Sequence, residues 1–172
     1  MTAPKNTDAL VTELLTLLGE EAGLYQDLIA AGRAKRDALV AVDLAQVETA
    51  TQREEDLLRT VGRTALRRGE TLREIGAVLR LGSGEPKLEE VLPRVGEPRA
   101  AQIAGLRADI RRALEELKRL NGLNQALTRQ SLAHVQDFLR LLTRGGGPGP
   151  LYTRRGLEER PVRSHLVIDR TA

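Results

Sequence analysis

The sequence predicts an all-α fold: an elongated antiparallel helical bundle or coiled coil of three long helices, with a disordered C-terminal tail. Three long stretches place apolar residues at alternating steps of three and four, which is the period of one helix face. The composition is typical of long helices, since 30% of the residues are charged and only 2% are aromatic. Glycine and proline separate these stretches at 82–86 and close the last one at 145–150. We therefore expect a helical domain over residues 1–143 and a Gly/Pro/Arg-rich flexible tail over residues 144–172.

The first helix is predicted from about Thr7 to Ala41. Asp43, followed three residues later by Gln46, resembles the capping box that begins a helix. The sequence leaves open whether a new helix starts there or the first one passes through Asp43 with a bend. The first helix carries its apolar and small residues on one face, at Val11, Leu14, Leu15, Leu18, Ala22, Tyr25, Ile29 and Gly32.

The second helix is predicted from Leu44 to Leu81, and it carries the most regular heptad pattern of the chain. Its seam comprises Leu44, Val47, Thr51, Glu54, Leu58, Val61, Ala65, Arg68, Leu72, Ile75 and Leu79. Glu54 and Arg68 interrupt that seam with charge. Three glycines also recur seven residues apart, at Gly62, Gly69 and Gly76. They either admit a close-packed helix or reflect chance.

The third helix is predicted from about Pro98 to Thr143, after a short helical turn at Leu88 to Leu92. From Asn121 to Leu142 its apolar sector is wider than the narrow seam that holds one neighbouring helix. This sector is either ordinary core or a surface for a partner. Asn124 lies on the same stripe, where a buried asparagine would fix register or partner at a cost in stability.

Residues that carry chemistry are scarce. Cysteine is absent, which excludes disulfides and thiolate chemistry. The histidines are His134 and His165, so no helical histidine pair can bind a metal. Ser131 precedes His134 by three residues, but no oxyanion site accompanies the pair. We expect no catalytic residue, no metal, no cofactor and no enzymatic activity.

Charge and hydropathy narrow the class further. The net charge is only +3, and acidic residues alternate with the arginines, whereas phosphate binding requires a patch of one sign. Direct nucleic-acid binding is therefore disfavoured. The N-terminus lacks the basic and apolar segments of a signal peptide, and no apolar run is long enough to span a membrane. We expect a soluble cytoplasmic protein.

Several segments resemble the FlgN family of flagellar export chaperones. In the first two helices the resemblance rests on Leu24–Leu28, Lys35–Val40, Asp43–Val47 and Glu54–Leu58. Further along, it rests on Leu120–Leu127, on Tyr152 with Gly156, and on the closing Ile168–Ala172. The resemblance covers nearly the whole chain.

This resemblance implies a non-enzymatic chaperone, a monomer or weak dimer. It would bind the C-terminal helices of the hook-associated proteins FlgK and FlgL, prevent their premature assembly and deliver them to the export-gate component FlhA. The family role carries to Tyr152 as the residue that docks on the gate. The alternative is a structural coiled-coil adaptor that self-associates. The predicted client-binding residues are Asn124, Leu127, Leu132, Val135, Phe138, Leu139 and Leu142.

Overall fold

Four α-helices and one short 3-10 turn make up nearly all of the computed structural model, which describes residues 6–82 and 85–144. The helices are α1 (Thr7–Ala41), α2 (Leu44–Leu79), α3 (Leu88–Val91) and α4 (Glu97–Arg144), with a 3-10 turn at Leu92–Arg94 between the last two. Helices hold 92% of these residues, and no strand occurs among them. The all-α prediction is confirmed. None of the described helices is apolar enough over a sufficient length to cross a membrane.

Contacts within the chain define two units, residues 1–130 and residues 131–172. The structure describes residues 131–144 of the second unit, all of them helical. Of the predicted tail, residues 144–172, only Arg144 is described, as the last residue of α4. Residues 145–172 lie outside the described residues. The domain boundary drawn from the sequence therefore stays a prediction.

In the first unit, α1 and α2 form an antiparallel hairpin. The Asp43 carboxylate accepts a hydrogen bond from the backbone N–H of Gln46 at 3.1 Å, so the predicted N-cap is confirmed. The residue before it, Val42, adopts the left-handed conformation with φ 56°, and the chain reverses there rather than bending. Ion pairs from α1 to α2 then follow opposite chain directions, at Lys35–Glu54 and Glu21–Arg68.

The third long helix runs parallel to α1 and packs on the hairpin. Arg99 near the start of α4 pairs with Asp8 near the start of α1, and Glu116 pairs with Arg33 further along both helices. The main hydrophobic core lies where the first part of α1 and the first part of α4 pack against the end of α2. It is built from the buried Leu10, Val11, Leu14, Leu18, Leu72, Ile75, Val91 and Ile103.

Only some of the residues in the predicted seam of α2 are buried. Leu44 and Leu58 are 77% and 56% exposed, whereas Leu57 and Thr64, which the heptad omitted, are buried. A straight helix has about 3.6 residues per turn, so its buried face drifts away from a strict seven-residue repeat. The two charges that interrupt the seam, Glu54 and Arg68, are each paired with a residue of α1.

The segment after α2 connects that helix to α4. The α2 helix ends two residues earlier than predicted, since Arg80 adopts the left-handed conformation with φ 55°. The predicted turn at Leu88 to Leu92 is present as α3 and the start of the 3-10 turn. Gly69 is approached by the Glu85 carboxylate and Gly62 faces open space, so no helix packs on the glycine line at these two positions.

Val42→Gly is expected to raise the free energy of unfolding by about 1 kcal/mol. A left-handed conformation costs an L-residue about 1–2 kcal/mol, and a β-branched side chain makes it rarer, whereas glycine adopts it freely. Thermal or urea unfolding measures the difference. Val40→Gly, the same change inside α1 two residues earlier, is the control and should lower stability by a few tenths of a kcal/mol. Equal effects at both positions would contradict the strain at Val42.

Candidate functional site

The C-terminal part of α4 presents apolar side chains to solvent. All residues from Thr128 to Thr143 are exposed. Five large apolar side chains of the second unit lie on one side of this helix and are between 54% and 60% exposed. We call them the apolar face: Leu132, Val135, Phe138, Leu139 and Leu142.

The geometry of the apolar face suits a packed helix. At about 100° per residue its five side chains fall within about 120° of the helix circumference, and they extend over about 15 Å. That sector is wider than a simple two-helix seam. Exposed apolar patches of this kind mark interaction sites in many proteins. Leu141, 69% exposed, lies outside this sector.

Local helix chemistry explains why this segment is helical although no described residue of the second unit buries it. The costly step in helix formation is the first turn, and each further residue adds one hydrogen bond. In α4 the earlier turns supply that nucleus. Asp137 and Arg140 add an ion pair at 3.2 Å, which is worth a few tenths of a kcal/mol on an exposed helix.

Two of the predicted client-binding residues lie in the first unit instead. Leu127 is half-buried. Asn124 is only 5% exposed, and its Nδ2 donates to the backbone carbonyl of Gly32 at 2.9 Å. If the Asn124 side-chain amide were flipped, its Oδ1 would face the Gly32 carbonyl oxygen, and two acceptors would meet. The Gly32 carbonyl therefore fixes the orientation of the Asn124 amide. Asn124 thus contributes to a contact between α1 and α4, and its role in client binding stays a prediction.

The Asn124 side chain also borders a shallow groove of about 490 Å³ between α1 and α4. Its Oδ1 is buried and has no hydrogen-bond partner among the described residues. A buried acceptor of this kind is usually satisfied by an ordered water. The groove is lined by Lys35, Lys118, Asn121, Gly122, Asn124, Gln125 and Thr128.

Gly32 makes the α1–α4 contact possible. A Cβ added there would lie 2.7 Å from Cδ2 of Leu120, and Leu120 is fully buried. The sequence placed Gly32 on the packed face of the first helix. However, the glycine pattern that suggested close helix packing was the heptad-spaced set in α2. The deciding fact is a contact 92 residues away in sequence, between Gly32 and Asn124.

Gly32→Ala is expected to destabilise the protein by about 1 kcal/mol, since overpacking typically costs about 1–3 kcal/mol and better helix propensity returns about 1. Chemical unfolding followed by circular dichroism measures it. Gly23→Ala is the matched control, because Gly23 also lies in α1 and has no atom within 4 Å of an added Cβ. That variant should be stabilised by about 0.5–1 kcal/mol. Stabilisation of both variants would disprove the close approach.

Charged side chains in the first unit form ion pairs between its helices. The Glu21 side chain is 5% exposed and receives both its hydrogen bonds of 3.1 Å from Nε of Arg68. Partial burial raises the pKa of the nearby Tyr25 phenol, and the Glu21 carboxylate raises it further. On α4, hydrogen bonds from Arg119 and then Arg33 lower the pKa of Glu116. These groups hold helices together, and none lies in the apolar face.

The remaining predicted residues add no chemistry to the described structure. Tyr152 and His165 lie outside the described residues. Ser131 and His134 are both exposed on α4. Across residues 6–82 and 85–144, no three histidine or carboxylate side chains gather as metal ligands.

The fold and the apolar face define a class: an all-α bundle in which the C-terminal part of α4 presents exposed apolar side chains. The family model described as FlgN protein matches residues 1–160. The chain belongs to the FlgN family, the family of flagellar export chaperones, which bind hook-associated proteins. Comparisons with curated proteins and with solved structures gave no match.

Proposed function

We propose that this protein binds the C-terminal helices of the hook-associated proteins FlgK and FlgL in the cytoplasm and delivers them to FlhA at the type III export gate. The observation that carries the proposal is the apolar face, uncovered at the end of α4 in a member of a chaperone family. Client helices that polymerise through apolar stripes offer a complementary surface. Covering that stripe keeps the client from assembling early.

The apolar face is large enough to support such binding. Full burial of a large apolar side chain contributes about 1.5–3 kcal/mol. Five side chains that are about half exposed then contribute about 4–7 kcal/mol on the chaperone side alone. The client contributes a comparable amount, and the cost of association takes back several kcal/mol. Leu127, half-buried at the end of the first unit, extends the proposed client-binding set, and Asn124 completes it.

Docking on FlhA is assigned to Tyr152. Its support is the resemblance of this tyrosine to the one that follows the amphipathic stretch in the family. Tyr152→Ala should leave client affinity unchanged and weaken binding to purified FlhA, as measured by surface plasmon resonance with the chaperone–client complex. Unchanged FlhA binding would remove the assignment.

A second candidate function is a coiled-coil adaptor that self-associates. The same observation favours it, because an exposed apolar face with three-and-four spacing can also pack on a second copy. An adaptor forms concentration-dependent oligomers without any client. A chaperone is a monomer or weak dimer that forms a defined complex when the client is added.

Size-exclusion chromatography with light scattering distinguishes the two functions. The full chain is measured alone over a hundredfold range of concentration, and then with the C-terminal helical segment of FlgK or FlgL. A monomer or weak dimer that gains the mass of one client is the expected result. Oligomers that grow with concentration and ignore the client would favour the adaptor.

Hydrogen exchange gives a second, site-resolved test. Amides in residues 131–143 should exchange rapidly without client, because no side chain of this segment is buried. Client binding should slow them at least about tenfold, which corresponds to about 1.4 kcal/mol of added local stability. Slowing confined to residues 7–79 would place the client elsewhere.

A further inference from the structure

The groove between α1 and α4 in the first unit is polar and positively charged. Its lining contains two lysines, Lys35 and Lys118, and neither a carboxylate nor a large apolar side chain. Lys35 is neutralised by Glu54 of α2 at 2.9 Å. Lys118 is exposed and forms no ion pair with any described residue. The groove therefore carries one positive charge that the described part of the chain does not neutralise.

Asn124 gives the same groove a hydrogen-bond acceptor. Its Oδ1 is the one buried side-chain polar atom of the described residues that has no hydrogen-bond partner. The amide cannot turn away, because its Nδ2 donates to the Gly32 carbonyl at 2.9 Å. A buried acceptor without a partner is unfavourable. A donor that enters the groove and reaches Oδ1 would take the place of the water that usually satisfies such an atom.

We infer that this groove binds an acidic segment of the client. A client carboxylate pairs with Lys118, and a neutral amide or hydroxyl group of the client donates to Oδ1 of Asn124. The inference rests on the proposed function and adds a polar contact in the first unit to it. An acid is favoured because the groove is positively charged, and the donor is neutral because both lysines would repel a cation.

The groove has room for such a segment. Its volume is about 490 Å³, within the range of about 300–1,000 Å³ that is usual for ligand pockets. One water needs only about 30 Å³. Gly122 leaves the groove open on the α4 side, since a Cβ added there would meet no atom within 4 Å. Water at Asn124 would also leave Lys118 unpaired, whereas an acidic segment with a neutral donor satisfies both residues.

The first test fills the groove without disturbing the helix. Gly122→Gln places a longer side chain in the groove, and replacement of a helical glycine favours the helix. Titration calorimetry with the C-terminal helical segment of FlgK should show binding about tenfold weaker, because the added side chain occupies the place of the client group.

Gly105→Gln is the matched control for this variant. Gly105 also lies in α4 and has no atom within 4 Å of an added Cβ, but it does not line the groove. Its affinity for the segment should stay within about twofold of wild type. Equal affinities of the two glutamine variants would show that the groove holds water only, and would overturn the inference while leaving the proposed function intact. A wild-type chain that does not bind the segment would overturn both.

A second test addresses the charge of the client. Lys118→Gln should weaken binding about threefold and Lys118→Glu about tenfold, because the first removes an exposed ion pair and the second adds repulsion. Arg94→Glu makes the same reversal at an exposed arginine outside the groove and should bind within about twofold of wild type.

A neutralised client completes the charge test. In this FlgK segment every aspartate and glutamate is replaced by asparagine and glutamine. Wild type and Lys118→Glu should bind it equally, because no carboxylate is left to meet position 118. A loss in Lys118→Glu that persists with the neutralised segment would overturn the inference. Equal binding of the unmodified segment by Lys118→Glu and wild type would overturn it as well.

Discussion

Replacing Val135 and Phe138 together by aspartate is expected to weaken client binding at least about 100-fold, a loss of about 2.7 kcal/mol. Both side chains lie in the apolar face and are 54% and 60% exposed. Two carboxylates there would have to lose water in the complex without a partner charge, which costs several kcal/mol. Titration calorimetry with the FlgK or FlgL segment measures the loss.

The same substitutions should leave the fold intact, because neither side chain is buried in the free protein. Circular dichroism should show nearly unchanged helicity and a cooperative melt. Gln130→Asp with Ala133→Asp adds the same charge on the opposite side of α4 and should bind client within about twofold, about 0.4 kcal/mol. Loss of the whole fold in the first variant would show that Val135 and Phe138 are core residues.

Arg68→Ala is expected to lower the free energy of unfolding by about 3 kcal/mol. It leaves the Glu21 carboxylate, which is 5% exposed, without its cation inside the first unit. Breaking a buried ion pair from one side costs about 3–5 kcal/mol because the remaining charge stays desolvated. Partial exposure of Arg68 at 30% places the effect at the lower end of that range. Urea unfolding monitored by circular dichroism measures it.

The neighbouring arginine provides the control for this variant. Arg67 faces Glu20 at 3.9 Å and its side chain is 60% exposed, so Arg67→Ala should cost less than about 0.5 kcal/mol. The double variant Glu21→Leu with Arg68→Leu should recover most of the lost stability, because apolar residues can replace a buried pair at little cost. Equal losses for Arg67→Ala and Arg68→Ala would show that the Glu21–Arg68 pair behaves as a surface pair.

Much of the fold could be predicted from the sequence because helices are local structures. Their hydrogen bonds join residues four apart, and their ends depend on caps such as Asp43 and on breaks such as Gly82 and Pro86. The three long helices were therefore predicted to within a few residues. The buried face of α2 was predicted less accurately. The seven-residue repeat placed Leu58 on the seam, whereas its neighbour Leu57 is the buried residue.

The candidate site was predicted less completely. The sequence identified one apolar stripe between Asn121 and Leu142, with Asn124 on it, and left open whether it was core or binding surface. The structure divides that stripe: Asn124 is buried against Gly32, and Leu132 to Leu142 remain exposed. Periodicity could not make this division, because it reports which side of a helix is apolar and not whether another helix covers it.

By itself, the sequence determined the helices, their approximate ends and the side on which each is apolar, since these depend on neighbours within a few residues. Only the tertiary structure decided that Gly32 lets α4 approach α1, that Arg68 neutralises Glu21 and that the apolar face is uncovered. Each of these depends on residues far apart in the chain, and no local pattern encodes such a contact.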